Sequence, residues 1–191
     1  MIIILDNGSQ YTHLIKRNMR DLGHASETLN NRAAKLAEIE EKKPEAIILS
    51  GGPSSVTKGE NFVSEEVVKK VAGGWDVPLL GVCYGHQLIA YALGGKVEKG
   101  KAAEYGLGKV VVDDEDLLFK GVPKEFTAWV SHFDEVKALP KGFVALAHSE
   151  TCAIEAMRHK EKRIFGTQFH PEVWHTEHGE EMLKNFLSQI R

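Results

Sequence analysis

Two short segments carry residue types at spacings that could do covalent chemistry. In Gly81-Val82-Cys83-Tyr84-Gly85 a thiol stands between two glycines, directly after the apolar run 77–80. The G-x-C-x-G pattern has the mechanics of a strand-to-helix nucleophile elbow, with sulfur in place of oxygen. Gly81 and Gly85 permit the close backbone approach that such a turn requires. The helix that follows points its N-terminus at the sulfur and favours the thiolate, the reactive species. A cysteine nucleophile needs a base, and the base needs an orienter. His170-Pro171-Glu172 offers both, since residues two apart on extended backbone share a face. Pro171 favours that extended form at His170. Glu172 then accepts from one imidazole nitrogen and leaves the other facing Cys83. Acyl transfer also needs oxyanion donors. The Tyr84 N–H, just after the nucleophile, is one candidate. The Gly52 N–H, in S-G-G-P-S-S at 50–55, is the second, because Pro53 has no N–H to give.

Each segment alone has a plainer reading: an inert thiol at a strand end, a solvated His-Pro-Glu turn, an ordinary glycine turn. Their co-occurrence on one α/β pattern is what makes the plain readings hard to keep. Other chemistries fare worse. S-G-G-P-S-S looks like the S-G-G-x-D-S phosphate loop of ATP pyrophosphatases, but Ser54 stands where that pattern wants Asp. No G-x-x-x-x-G-K-[ST] occurs, so nucleotide binding by this chain is not expected. His170, His175 and His178 crowd one turn, but H-x₄-H-x₂-H fits no zinc spacing, so no metal site is expected. Solvated or capping roles suit His175 and His178, and Cys152 reads as a packed strand residue.

The elements that must position these groups alternate in the first half of the chain. Buried strands are expected at 2–5 (IIIL) and 45–50, since continuous Ile/Leu runs suit strands covered on both faces, and further strands at 25–29 and 77–83. Helices are expected between them, the first with Ser9 as N-cap and Gly23 just past its end. Pro44 stops the second. This β-α repetition implies a mostly parallel central sheet with helices on both faces, a flavodoxin-like arrangement whose strand ends hold the ligand. After about residue 95 the runs become β-like with short breaks, which implies antiparallel strands added to that sheet. A last helix should begin near Thr176 as N-cap and run to the C-terminus.

Composition sets the frame. The chain has 191 residues, 42% of them hydrophobic, enough for one domain with a full core. A net charge of −3 with no basic run argues against nucleic acid. The apolar first segment is too short to span a bilayer and lacks a basic leader, so no membrane role is expected. Two cysteines cannot build a disulfide framework, which suits a reducing cytoplasm.

"GVCYGHQ" together with "QFHPE" resembles the class I, triad-type glutamine amidotransferases, over residues 1–191 as a single domain. "ILDNGSQYTHLI", "LSGGPSSV", "AEYG", "SHFDEV" and "HPEVWHTEHGEEMLKNF" are similar to the glutaminase part of GMP synthases. The resemblance implies that Cys83 attacks the side-chain amide of L-glutamine, that His170 handles protons and Glu172 orients it, and that ammonia leaves behind a γ-glutamyl thioester. It places Gln87, Ser131, His132 and Phe133 at the amino-acid end of glutamine, and Gly52 in the oxyanion hole. It implies a separate partner, an ATP pyrophosphatase subunit, which uses ATP and Mg²⁺ to convert XMP to GMP, with no cofactor in this chain. The mouth of the pocket, at Glu104, Tyr105, Asp134 and Glu135, is the expected partner interface. Tyr84 stands where Leu is common, and its ring could line the pocket. The alternatives are the glutaminase of anthranilate or carbamoyl-phosphate synthesis, a stand-alone cysteine hydrolase, or an inactive binding protein on the same fold.

Overall fold

The computed structural model describes residues 1–100 and 105–191. Nine strands form one sheet in the order β2-β1-β3-β4-β9-β8-β7-β5-β6. They are β1 (Ile2–Asp6), β2 (Ser26–Asn30), β3 (Ala46–Leu49), β4 (Leu79–Val82), β5 (Lys96–Val112), β6 (Glu125–Ala138), β7 (Phe143–His148), β8 (Ala156–His159) and β9 (Ile164–Thr167). The helices are α1 (Thr12–Asp21), α2 (Leu36–Glu41), α3 (Phe62–Ala72), α4 (Tyr84–Ala92) and α5 (Gly179–Leu187).

The parallel part runs 2-1-3-4-9, the flavodoxin order with β9 in the fifth place. The expectation of a mostly parallel sheet needs correcting. β1–β2, β1–β3, β3–β4 and β4–β9 are parallel, but β5–β6, β5–β7, β7–β8 and β8–β9 are antiparallel. The two longest strands, β5 and β6, both lie in the antiparallel part. The sheet is therefore mixed, because β9 returns to pair with β4 after the chain has built a hairpin wing.

Side chains alternate across the sheet as strand geometry demands. Ile2, Ile4, Ile48, Leu80 and Val82 face one core, which Ile15 and Met19 of α1 and Met182, Leu183 and Phe186 of α5 close. Ile3, Leu5, Ile47, Leu49 and Leu79 face the other, closed by Ile39 of α2, Val67 and Val71 of α3, and Leu88 and Ile89 of α4. β1, β3 and β4 are buried on both faces, which is why they read as unbroken apolar runs, whereas β2, at the edge of the sheet, is only half-buried.

Two helix starts differ from the sequence reading. Tyr11, not Ser9, occupies the cap position of α1, and Ser9 Oγ instead accepts from the Tyr11 N–H. Gly23 does sit just past α1 with φ +84°. α5 begins at Gly179 behind His178, three residues after Thr176, whose hydroxyl is committed elsewhere.

The turn from β4 into α4 is the tightest joint of the parallel half. A Cβ on Gly81 would lie 2.4 Å from the Gly85 carbonyl, and one on Gly85 would lie 2.5 Å from the Leu49 carbonyl oxygen. Cys83 itself adopts φ +50°, ψ −102°, a conformation that costs an L-residue about 1–3 kcal/mol. Cys83→Gly relieves that strain and Cys83→Ala keeps it. The glycine variant should therefore be the more stable of the two by about 1 kcal/mol, read from urea midpoints. Equal midpoints would mean that the turn stores no strain.

Candidate active site

The ends of β1, β3, β4 and β9 meet the inner face of β6 around a cavity of about 690 Å³. Its wall includes Ser9, Gly52, Cys83, Gln87, Ser131 and His170. This is the carboxyl end of the parallel strands, where open α/β sheets bind ligands.

Cys83 projects into the cavity from the elbow, 5% exposed. Its backbone is pinned by an N–H bond to the Thr167 carbonyl of β9 (2.8 Å), and its carbonyl accepts the Gln87 N–H (3.0 Å). Its Sγ lies 3.7 Å from the Ser131 carbonyl and 3.7 Å from Gln168 Nε2. The first amides of α4 have no intrahelical partner and leave the helix N-terminus open beside the sulfur.

His170 is held from several directions. Its Nδ1 pairs with Glu172 Oε1 at 2.8 Å, and both side chains are almost wholly buried. The His170 N–H donates to the Trp129 carbonyl of β6 (3.0 Å), and Thr176 Oγ1 donates to the His170 carbonyl (2.6 Å). Thr176 Oγ1 in turn accepts the Trp129 N–H (2.9 Å), so the hydroxyl expected to cap α5 braces the His-Pro-Glu turn instead. Tyr11 packs edge-on to the imidazole, with ring centroids 5.0 Å apart. Trp129 Nε1 fixes the Tyr11 hydroxyl at 3.0 Å. Asn18 Nδ2 donates to the Glu172 carbonyl (3.0 Å).

The electrostatics separate three imidazoles. Burial pushes His170 down, but the Glu172 carboxylate, the Cys83 sulfur and the hydrogen bonds to both outweigh it and hold the ring well above the ordinary imidazole value. His86, on α4, is wholly buried against the backbone of Gly166 and Ile154, and burial, then the neighbouring His132, brings it down to about 3. Burial likewise lowers His132 to about 4, although Glu135 and Asp134 oppose it. Burial, and then Glu155, pushes the Cys152 thiol up, so this cysteine stays protonated in the core.

Of the expected glutamine contacts, Gln87, Ser131, His132 and Phe133 all line the cavity, and so does Gly52. The Tyr84 ring does not. It turns into the core of α3 and α4, donates from its hydroxyl to Asn61 Oδ1 (2.7 Å), and is raised to about 12 by burial and then Glu65. Only its backbone is left for the oxyanion role. The expected partner contacts scatter. Tyr105 is 66% exposed at the mouth. The Asp134 carboxylate is taken by Ser55 Oγ. Glu135 is buried and paired with Lys137, so it offers no charge to a partner, which corrects the expectation. Glu104 lies outside the described residues. Among the described residues no cluster of three or more metal-ligating side chains forms. No helix among them is long and apolar enough to cross a membrane.

Three site residues escaped the sequence. Tyr11 and Thr176 touch the triad through tertiary contacts that no local pattern signals. Gln168, an amide in the middle of the apolar β9 exit, carried a signal: a fully buried polar side chain there needs partners.

A strained cysteine on an elbow, served by a histidine and a glutamate from a neighbouring strand end, defines the triad glutamine amidotransferase class. Residues 3–190 match the family Glutamine amidotransferase class-I, and the chain belongs to that family. The chain is similar to a glutamine-hydrolyzing GMP synthase subunit from Methanocaldococcus jannaschii, with 53% identity over 187 residues, covering 97% of this chain and 95% of that protein. It is 50% identical over 186 residues to the protein of the same name from Pyrococcus abyssi, covering 97% and 96%. Among solved structures, a Thermoplasma acidophilum protein provisionally described as a GMP synthase subunit superposes with TM-score 0.88 at 36% identity, covering 99% of this chain and 92% of that one. A Thermotoga maritima glutamine amidotransferase shares the fold, with TM-score 0.75 at 20% identity over 98% and 80% of the two chains.

The depressed imidazoles make stability depend on pH. A histidine whose folded value lies below its unfolded value of about 6.5 takes its proton only on unfolding. Stability from His86 and His132 is then full above about pH 6.5 and falls as pH drops toward their folded values of about 3 and about 4. His86→Gln should flatten the plot of unfolding free energy against pH in that window by about 1.4 kcal/mol per unit. Urea titrations across the window check this. Parallel curves for parent and variant would mean that His86 is not buried as a neutral ring.

Proposed function

We propose that residues 1–191 form one class I glutamine amidotransferase domain that serves as the glutaminase subunit of a two-chain, glutamine-hydrolysing GMP synthase. The carrying observation is the assembled triad on the wall of a cavity of about 690 Å³ at the carboxyl ends of the parallel strands. Relatives named as glutamine-hydrolyzing GMP synthase subunits, at about half identity over nearly the whole chain, support the GMP synthase reading over other biosynthetic glutaminases. A cytoplasmic setting suits the two free cysteines.

Each part of the site has a task. Cys83 Sγ attacks the side-chain carbonyl carbon of L-glutamine. The oxygen that becomes negative is met by the backbone N–H of Tyr84, at the α4 N-terminus, and by that of Gly52. His170, charged through Glu172, gives its proton to the departing amide nitrogen, and ammonia leaves a γ-glutamyl thioester on Cys83. The now neutral His170 takes a proton from water, which attacks the thioester and frees glutamate. Gln87, Ser131, His132 and Phe133 hold the amino-acid end. This chain needs no metal or cofactor for these steps. ATP and Mg²⁺ belong to the partner, an ATP pyrophosphatase subunit that activates XMP and receives the ammonia.

The partner has an apolar surface to meet at the cavity mouth. Tyr105 and Leu107 share the outer face of β5, and Tyr105 meets Phe133 edge-on with centroids 6.2 Å apart. Leu107 lies opposite Trp129, which packs on His175, and His175 on Trp174. Leu107 and Trp174 are 62% and 87% exposed. A band of this kind beside a site that releases a small neutral product fits a chain that must receive it.

Glutamate release from L-glutamine, with and without an ATP pyrophosphatase chain charged with XMP, ATP and Mg²⁺, tests the whole reading. Release stimulated by that chain is expected, and no release under any condition would overturn the assignment. Cys83→Ala and His170→Ala should each lower kcat by about 10⁴–10⁶, and Glu172→Ala by one to two orders less. A Glu172 variant worse than the His170 variant would reverse the roles. Trp174→Ala and Leu107→Ala should weaken stimulation at limiting partner while leaving the free chain's basal rate unchanged. Parent-like stimulation in both would move the interface elsewhere.

A further inference from the structure

Gln168 is wholly buried on the exit of β9, and its backbone is fixed by an N–H bond to the Glu155 carbonyl (2.7 Å). Its Nε2 lies 3.7 Å from Cys83 Sγ. Its Oε1 accepts from Gln87 Nε2 (3.1 Å). Gln87 Nε2 also donates to the Asp134 carbonyl of β6 (2.6 Å). The direction of this chain is set by chemistry. A backbone carbonyl only accepts, so Gln87 must turn its NH₂ toward Asp134. That NH₂ then faces Gln168, which must answer with its oxygen. The NH₂ of Gln168 is thereby left pointing at the sulfur. Turning either amide over would set donor against donor or acceptor against acceptor in a buried place, which is costly.

We propose that Gln168 is a positioning residue for the nucleophile: its amide, oriented by Gln87 and the Asp134 carbonyl, donates to the Cys83 sulfur and holds it as a thiolate in the line of attack. The inference rests on the role of Cys83 in the function proposed above. The Ser131 carbonyl accepts from the thiol at 3.7 Å but repels a thiolate, so a fixed donor on the sulfur decides where the charged form rests. The amide is uncharged at every working pH and holds its donor there before and after His170 gives up its proton. The relay also ties the sulfur to the glutamine subsite, because Gln87 lines the cavity while Gln168 lies behind it. His170 is the titratable side chain set against the sulfur. His132 and Asp134 from β6, Lys58 from the loop after β3, and Lys99 and Tyr105 from β5 line the same cavity.

Iodoacetamide, a neutral probe that needs no glutamine subsite, reads the sulfur directly. The full chain and the variants Gln168→Met and Gln87→Met are alkylated across a pH series, with Cys83 and Cys152 followed by peptide mass mapping. Gln168→Met should slow Cys83 alkylation near neutrality by about tenfold or more and move the rate profile to higher pH. It should lower kcat for glutamate release with little change in KM. Gln87→Met should move the same profile in the same direction by less, although Gln87 does not touch the sulfur, because the Gln168 amide is then free to turn. A parent-like profile in a folded Gln168→Met means that Gln168 only fills space and overturns the proposal. If Gln168→Met does not fold, a parent-like profile in Gln87→Met overturns it instead. Should parent Cys83 alkylate no faster than Cys152, the nucleophile reading itself has failed, a result distinct from loss of the relay alone.

Discussion

The structure depends on one joint, the passage of the chain from β4 into α4. Three backbones meet there: β4, the first turn of α4 and the end of β3. They meet so closely that neither Gly81 nor Gly85 has room for a Cβ. The residue between them must take a left-handed conformation, and here it is Cys83 rather than a third glycine. Folding therefore carries a local cost at the one residue whose exposure to ligand matters. The two cores around it offset that cost with continuous Ile, Leu and Val packing on both faces of the sheet. What the joint yields is a sulfur standing clear of the sheet with open helix amides beneath it.

The triad needs a second wall, which the antiparallel wing supplies. β6 gives the Ser131 carbonyl beside the sulfur, the Trp129 carbonyl that fixes His170, and the Asp134 carbonyl that orients Gln87. Thr176 closes the circuit from the other side, taking the Trp129 N–H and giving its proton to the His170 carbonyl. His170 is thus held less by its own turn than by a strand far upstream in the chain. Any displacement of β6 would reach Cys83, His170 and Gln87 together, so a partner docking on the outer face of β5 and β6 would have a mechanical route to the cavity.

The parallel half was legible because burial on both faces leaves continuous apolar runs, and the elbow because two glycines bracket a cysteine. The wing was less so. β5 begins in "KVEKGKAAEYGLG", polar and glycine-rich, and only its end, "GKVVVDD", has a strand-like pattern, since the strand is held by pairing with β6 rather than by its own sequence. The sequence of β6 divides into "EFTAWVS" and "DEVKAL", although Phe126, Ala128, Val130 and His132 alternate inward without interruption. The alternation then slips, so that Glu135 and Val136 are both buried, and a register shift in the pairing with β5 accompanies it. Strict period-two counting puts Glu135 outside, and the irregularity turns it in beside Lys137. Ser9 and Thr176 have the right chemistry for helix caps, but their hydroxyls serve tertiary contacts, which no local window contains.

The three buried imidazoles show why the site works by environment rather than by residue type. His86, His132 and His170 are all at most 6% exposed, and desolvation acts on each in the same direction. His86 has another imidazole as its charged-form neighbour and stays neutral. His132 has carboxylates near it, but Glu135 is already paired with Lys137 and Asp134 is engaged by Ser55, so burial still prevails. His170 alone has a carboxylate aligned on one ring nitrogen and an ionisable sulfur near the ring, and there the balance reverses. Glu172 makes the larger contribution to that reversal and Cys83 the next, so loss of either would return part of the ground to burial. Keeping His132 neutral follows from the same logic: a second positive ring near His170 would lower it and weaken its pairing with Glu172. The elbow places the sulfur, but it is this asymmetry among like residues that keeps a proton on the one imidazole set beside it.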